Sequence, residues 1–219
     1  MPTAAPRTPF LRRGNDVQTE IQVTGIGGQG VQFATRTIAA GAMAAGRTVM
    51  LTSEFGGEMR GGISTATLIA GDPPLQALPV VPTAAAVVAL HDKYWPLIEH
   101  RLRPGGLLLV NSSLWERPLP PRFCVVRVPA TKLALEGGFP MGAGLLLAAA
   151  FATLTGLATI DDMCAAMERL LPGYRRQHLP SNIAALRAGA EQVTAAGVPL
   201  LAPPPRHAPA ASGAAGSTR

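Results

Sequence analysis

The sequence predicts an α/β fold: a Rossmann-like, mostly parallel sheet with helices on both faces and a helical C-terminal part. Three observations carry that expectation. A short β-branched run, Ile21-Gln22-Val23-Thr24, enters the glycine cluster Gly25-Ile26-Gly27-Gly28-Gln29-Gly30, and an alanine-rich helical pattern leaves it. Further short apolar runs bounded by Gly, Pro and Asn recur with room for connecting helices between them. From Ala130 the pattern turns helical and stays so until a Pro/Ala-rich end.

Composition bounds what such a chain can be. A chain of 219 residues, 47% of them hydrophobic, suits one α/β domain with appendages and can build a real core. We expect a flexible leader over 1–17, a single domain over 18–198 and a disordered tail over 199–219, where Pro, Ala, Ser and Gly cannot assemble a core. The two cysteines, Cys124 and Cys164, lie far apart and outside any CxxC pattern. That argues against an iron–sulfur cluster, a cysteine zinc site or a disulfide scaffold, and it suits a reducing, cytoplasmic location. The four histidines form no metal-binding pair at helical spacing. No signal-peptide run is present, and the apolar stretch 145–152 is too short to cross a bilayer, so no membrane role is expected. The net charge of +6 is scattered and only 5% of residues are aromatic, which speaks against nucleic-acid binding and for solvated surface charge.

The elements follow in order. Residues 31–45 read as a helix with small and apolar positions Val31, Ala34, Ile38, Ala42 and Ala45, stopped by Gly46. Residues 48–52 form a buried second strand and complete a βαβ unit. A second glycine-rich loop, Ser53-Glu54-Phe55-Gly56-Gly57-Glu58-Met59-Arg60-Gly61-Gly62, sits where that strand ends. A Ser/Thr-rich strand over 63–69 precedes the turn at Gly71-Asp72-Pro73-Pro74. Residues 84–90 read as a buried strand, although their alanines leave a helix open. A short helix over 94–102 is closed by Arg103-Pro104-Gly105-Gly106, and strands over 107–110 and 123–128 follow. The last part holds a buried or interface helix over 141–154, an amphipathic helix over 160–171 capped by Thr159 or Asp161, and a helix over 181–196 with Ser181 as its cap.

Chemistry-bearing residues gather at the two glycine loops. Gly25, Gly27 and Gly30 fit the G-x-G-x-x-G spacing, with Gly28 added and Gln29 between. Such a turn leaves amides at a helix N-terminus free to meet a phosphate, or it only packs closely against its neighbours. A nicotinamide site would also want an acidic residue at the tip of the second strand, and Glu54 lies at that distance. Arg60, flanked by Gly61 and Gly62 and preceded by Glu58, reads as a held arginine that meets a carboxylate, a phosphate or a partner's acidic group. The bland alternative is a solvated arginine or an ion pair with Glu54 or Glu58. His91-Asp92 follows a buried strand and reads either as part of a polar site or as the cap of the next helix, while Asn182 reads as a cap or packing residue. No catalytic triad, paired carboxylates or nucleophile elbow occurs, nor a thiamine diphosphate or ferredoxin cysteine signature. The chain has a cofactor-like scaffold without a reaction centre, so we name no catalytic residue and no metal ligand.

Taken together, the two loops resemble a known family. Gly25-Ile-Gly-Gly-Gln-Gly-Val31 and Glu54-Phe-Gly-Gly-Glu-Met-Arg60-Gly-Gly62, with a βαβ unit between, closely resemble the gamma subunit (central domain) of 2-oxoacid:ferredoxin oxidoreductases. That group spans the pyruvate, 2-oxoisovalerate, 2-oxoglutarate and indolepyruvate enzymes. The Asp72-Pro73 turn, the Gly105–Asn111 strand and the Asn182…Ala185…Gly189 helix support it, and the likeness covers about residues 21–192. One departure lies at Gly138-Phe-Pro-Met-Gly-Ala-Gly144, where members often carry an asparagine. The Glu-Phe-Gly-Gly-Glu form is nearer the 2-oxoglutarate and 2-oxoisovalerate types. The resemblance implies a subunit, inactive alone, of an enzyme that turns a 2-oxoacid and coenzyme A into acyl-CoA, carbon dioxide and a reduced acceptor. It implies no cofactor bound by this chain alone. Thiamine diphosphate and iron–sulfur clusters belong on partner subunits, ferredoxin or another acceptor is reached through them, and coenzyme A is the co-substrate. Gly25, Gly27, Gly28, Gln29, Gly30, Glu54, Glu58, Arg60, Gly61 and Gly62 carry over as the loop pair at that interface. The other readings are a free-standing NAD(P)- or flavin-binding oxidoreductase and a non-catalytic assembly protein.

Overall fold

Alternation of buried apolar and polar residues sets the first strand, and the chain is built outward from it. The computed structural model describes residues 18–55, 61–71, 75 and 82–195. The calls on the leader, on Glu58 and Arg60, on the Asp72-Pro73 turn and on the tail lie outside the described residues.

Strands β1 (Gln18–Ile26), β2 (Thr48–Phe55), β3 (Ile63–Gly71), β4 (Ala84–Ala89), β5 (Leu102–Asn111) and β6 (Cys124–Val128) form a six-stranded sheet in the order β2-β3-β1-β4-β5-β6. β1, β4, β5 and β6 pair in parallel, whereas β3 runs antiparallel to both β1 and β2. Five strands therefore point one way, and β3 alone opposes them. The first βαβ unit is thus split: β3 returns into the gap between β1 and β2 instead of continuing outward, and β2, expected to be buried, is left at the edge with residues 48–54 half-buried or exposed. The Ser/Thr-rich strand lies inside the sheet, and Ser64, Thr65 and Thr67 are buried there.

Five helices lie on one face. These are α1 (Val31–Ala44), α3 (Ala130–Glu136), α4 (Ala143–Thr155), α5 (Ile160–Leu170) and α6 (Leu179–Ala195), and they share the main core with Ile21, Val23, Ala66, Leu68, Val88, Leu107 and Leu109. The other face carries α2 (Trp95–Ile98) and a smaller core of Trp95, Trp115 and Phe123 against Val87, Leu108 and Val110. Trp95 meets Trp115 at 5.6 Å between ring centroids and Phe123 edge-on at 5.9 Å, geometries that aromatic quadrupoles favour.

Several boundaries have local causes. Gly46, at φ +82°, ends α1, and the Arg47 amide reaches back to the Ala42 carbonyl at 2.9 Å. Thr159 and Asp162 form a reciprocal capping box on α5. The expected helix over 94–102 is shorter: α2 and one 3-10 turn end at Arg101, and Leu102 to Gly106 extend β5, the Gly105 amide donating to the Arg122 carbonyl at 2.9 Å. Met141 does not belong to the buried helix. α4 starts at Ala143, and Met141 is 83% exposed. Ser181 is not a cap either, because a 3-10 turn (Gly173–His178) runs straight into α6 at Leu179 and the Ser181 hydroxyl donates to the His178 carbonyl. Asn182 is a packing residue, its amide directed to the Met167 sulfur at 3.7 Å.

Candidate interface site at the carboxyl edge of the sheet

β1 and β4 lie side by side in parallel, and the chain leaves them in opposite directions. From β1 it crosses through α1 to β2, beyond β3; from β4 it crosses to β5 on the other side. This is the switch point of the sheet, where an open α/β fold leaves a crevice outside the carboxyl ends of its strands. The first glycine loop and the His91–Tyr94 segment follow β1 and β4 there, and the end of the second glycine loop enters β3 at the same edge.

The first loop is stitched from within. Gln29 folds back so that its side-chain Oε1 accepts the Ile26 amide at 2.9 Å, and the Gln29 amide donates to the Ile26 carbonyl at 3.1 Å. A Cβ on Gly25 would stand 2.8 Å from that Oε1 and 3.0 Å from both Leu90 Cβ and Val31 Cγ2, so a larger residue would displace the Gln29 side chain and crowd Leu90 and Val31. Gly28 and Gly30 have φ of 101° and 79°, values that L side chains rarely adopt, and Gly30 caps α1. Among the described residues, the amides of Gly28 and Gly30 find no acceptor, and both glycines are exposed. These are the free donors at the start of α1.

The second loop is held against the first. The Gly27 amide donates to the Gly62 carbonyl at 2.8 Å, and the Gly61 carbonyl accepts the Tyr94 hydroxyl at 2.8 Å and Lys93 Nζ at 3.4 Å. Lys93 and Tyr94 thus fasten Gly61, just before β3. Sequence reasoning missed both; their only signal was their position just past a buried strand. Gly61 has φ 77°, and a Cβ there would meet nothing within 4 Å. The loop pair expected from the two motifs is therefore brought together at Gly27, Gly61 and Gly62.

Glu54 stands apart. β3 separates its strand from β1, and its carboxylate pairs with Arg101 at 3.4 Å. Its strand is not adjacent to β1, so Glu54 is not placed beside Gly25–Gly30 as the acidic partner that a nicotinamide ribose needs.

His91 and Asp92 act as a clamp. Asp92 is buried, and its Oδ2 accepts the amides of Glu116 at 2.9 Å and Arg117 at 3.2 Å, while its carbonyl accepts Arg117 Nε and the Trp95 amide. His91 Nδ1 lies 3.1 Å from both Asp92 Oδ1 and the Lys93 amide. Burial pushes the Asp92 carboxyl up, but the Glu116 and Arg117 amides and the His91 ring outweigh it and hold the group below its ordinary value. Asn111, buried at the end of β5, donates to the Leu90 carbonyl at 3.2 Å and to the Thr131 hydroxyl at 2.8 Å, tying the exit of β4 to the start of α3. Gly144 of α4 backs the whole edge, its Cβ position 3.3 Å from the Gln29 carbonyl. Among the described residues, no group of three or more His, Cys, Asp or Glu could hold a metal, and no helix is long and apolar enough to cross a membrane.

Residues 20–192 match the model of the pyruvate ferredoxin/flavodoxin oxidoreductase domain. The chain belongs to this family. It is similar to the 2-oxoglutarate synthase subunit KorC of Methanocaldococcus jannaschii, 26% identical over 156 residues, which cover 69% of this chain and 83% of that one. It is also similar to the ketoisovalerate oxidoreductase subunit VorA of Methanothermobacter marburgensis, 25% identical over 66% of this chain but only 30% of that one. Among solved structures, the gamma subunit of a keto/oxoacid ferredoxin oxidoreductase from Geobacter sulfurreducens superposes with a TM-score of 0.70 at 25% identity, covering 82% of this chain and 98% of that one. A 2-oxoglutarate:ferredoxin oxidoreductase from Magnetococcus marinus shares the fold, with a TM-score of 0.75 at 18% identity over 34% of its chain. The same domain thus occurs as a separate subunit and as one part of a longer chain.

Proposed function

We propose that this chain is the gamma-type subunit of a multi-subunit 2-oxoacid:acceptor oxidoreductase, which converts a 2-oxoacid and coenzyme A into acyl-CoA and carbon dioxide while reducing an acceptor such as ferredoxin. The observation that carries this reading is the Gly27–Gly62 hydrogen bond, which joins the two family motifs into one edge within a domain of that family. Names of relatives support it, since they are subunits of 2-oxoglutarate and ketoisovalerate enzymes.

In this reading the redox chemistry, with thiamine diphosphate and iron–sulfur clusters, resides on companion subunits in the cytoplasm. This chain shapes the coenzyme A side of a shared site. The free amides of Gly28 and Gly30 at the start of α1 offer donors to a phosphate, and Arg60 supplies the charge. Gln29, Gly25, Gly27, Gly61 and Gly62 fix the backbone that presents them. Glu58 is the nearest acid in sequence to Arg60 and balances it.

Reconstitution tests the proposal. The chain co-purifies with a thiamine- and cluster-containing partner, and 2-oxoacid-dependent acceptor reduction requires the complex; acceptor reduction by the isolated chain overturns the reading. In the complex, Arg60→Ala raises the KM for coenzyme A about tenfold and leaves the 2-oxoacid KM unchanged. Tyr94→Phe, which leaves the Gly61 carbonyl to the longer Lys93 contact alone, gives a smaller rise of the same kind.

A further inference from the structure

Residues 172–178 are all exposed, yet their backbone forms the regular 3-10 turn (Gly173–His178) that leads from α5 into α6. Residues 169–190 hold Arg169, Arg175, Arg176 and Arg187 and no acid. Among the described residues, Arg169, Arg175 and Arg176 enter no ion pair, not even with neighbouring Glu168. Elsewhere on the surface, Arg101 and Arg122 are each matched by a glutamate. Tyr174 is 75% exposed, and the Arg175 guanidinium lies over its ring, 5.5 Å from the centroid. Stacking of this kind steadies the cation and leaves its edge donors open.

The turn stands at the same edge of the molecule as the glycine loops. α4 starts there, with Gly144 against the Gln29 carbonyl. α6 runs beside α4 in the same direction, since Gly142 meets Ala185 and Gly189 meets Leu146. It begins at Leu179, six residues before Ala185, which places its start about 9 Å beyond that of α4.

We propose that Arg169, Tyr174, Arg175 and Arg176 form a docking face for a carboxylate-rich surface of another protein. Charge complementarity selects the occupant: three unmatched guanidinium groups each offer a planar fork that a carboxylate fits. Successive side chains of a 3-10 turn diverge by about 120°, so Arg175 and Arg176 reach separate acids and do not close on one phosphate. Tyr174 is the single aromatic of the turn, which gives the bases of a nucleic acid no run of rings to stack on. Beyond that ring the face is polar, as suits an association that forms and breaks. The inference does not depend on coenzyme A meeting the glycine loops.

Fluorescence anisotropy of labelled poly-L-glutamate with the full chain, at low salt and at about 0.15 M, tests it. The wild type binds, and its affinity falls as salt rises. Arg175→Ala combined with Arg176→Ala weakens binding at least about fivefold. Arg36→Ala combined with Arg127→Ala removes the same charge from exposed positions elsewhere and changes it less than about twofold. All four side chains are exposed, and circular dichroism equal to that of the wild type establishes that each variant is folded. A wild-type chain that does not bind poly-L-glutamate overturns the proposal. So does equal weakening by the two alanine pairs, which reduces the effect to net charge. A short DNA duplex, or vesicles of anionic phospholipid, held more tightly than poly-L-glutamate and released by the Arg175 and Arg176 substitutions, would show that the face meets phosphates and that the carboxylate partner is wrong.

Discussion

Thr24 is buried in β1, and among the described residues its hydroxyl has no hydrogen-bond partner. An unpaired buried hydroxyl carries a desolvation cost that its isostere avoids. Thr24→Val is expected to raise stability by about 1 kcal/mol, read as an upward shift of the urea midpoint at unchanged slope. Asp92 behaves in the opposite sense. Its carboxylate holds two amides of the exposed Glu116–Arg117 segment, and Asp92→Ala removes both bonds while leaving the donors within reach of water, lowering stability by about 1 kcal/mol. Because the folded carboxyl is held below its ordinary value of 3.8, the unfolded chain binds the proton more readily. The stability it confers is complete above that value and disappears as pH falls through the folded one. Urea midpoints measured from neutral pH down to about pH 3 should therefore fall more steeply for the wild type than for Asp92→Asn.

At the scale of elements, glycines decide how closely helices approach. A Cβ on Gly189 of α6 would lie within 2.1 Å of the Leu146 carbonyl oxygen of α4, and one on Gly41 of α1 within 2.7 Å of Met163 Cγ on α5. The first contact is with backbone and cannot yield cheaply. Gly189→Ala is expected to lower stability by about 2 kcal/mol despite the better helix propensity of alanine, as read from the thermal midpoint by circular dichroism. Most elements were legible in the sequence because local signals set their limits: Gly46 after α1, the Thr159 box before α5, the glycine turn after β1. The failures share one cause. β5 begins at Leu102 because Leu102 pairs with Ala84 ahead of a register irregularity and the Gly105 amide donates to the Arg122 carbonyl, contacts that no local pattern announces. The antiparallel placement of β3 is likewise a long-range choice, invisible in a strand whose Ser and Thr fit either hand. At α6 the signal misled: Pro180-Ser181 looks like a helix start, but a proline is tolerated in the first turn and the helix had already begun.

At the scale of the whole molecule, the chain has the parts of a nucleotide-binding fold with its acid displaced. In the sequence, Glu54 stands at the usual distance from the glycine loop; in the fold, β3 separates the two and Arg101 takes the carboxylate. The candidate site was legible as two motifs, because each glycine loop carries its own spacing. Their union was not, since the Gly27–Gly62 bond and the Lys93–Tyr94 fastening join residues that are more than thirty positions apart. The family match over residues 20–192 covers the residues from which these contacts are made.

The inward turn of Gln29 has a further consequence. By filling the Ile26 amide with its own side chain, the loop reaches its final shape during folding, before any other molecule arrives. The entropy of arranging four glycines is thereby charged to the folding of this domain, and an incoming surface meets a finished contour. Association then resembles the docking of two rigid bodies, with little loss of affinity to late ordering and an encounter rate set by orientation.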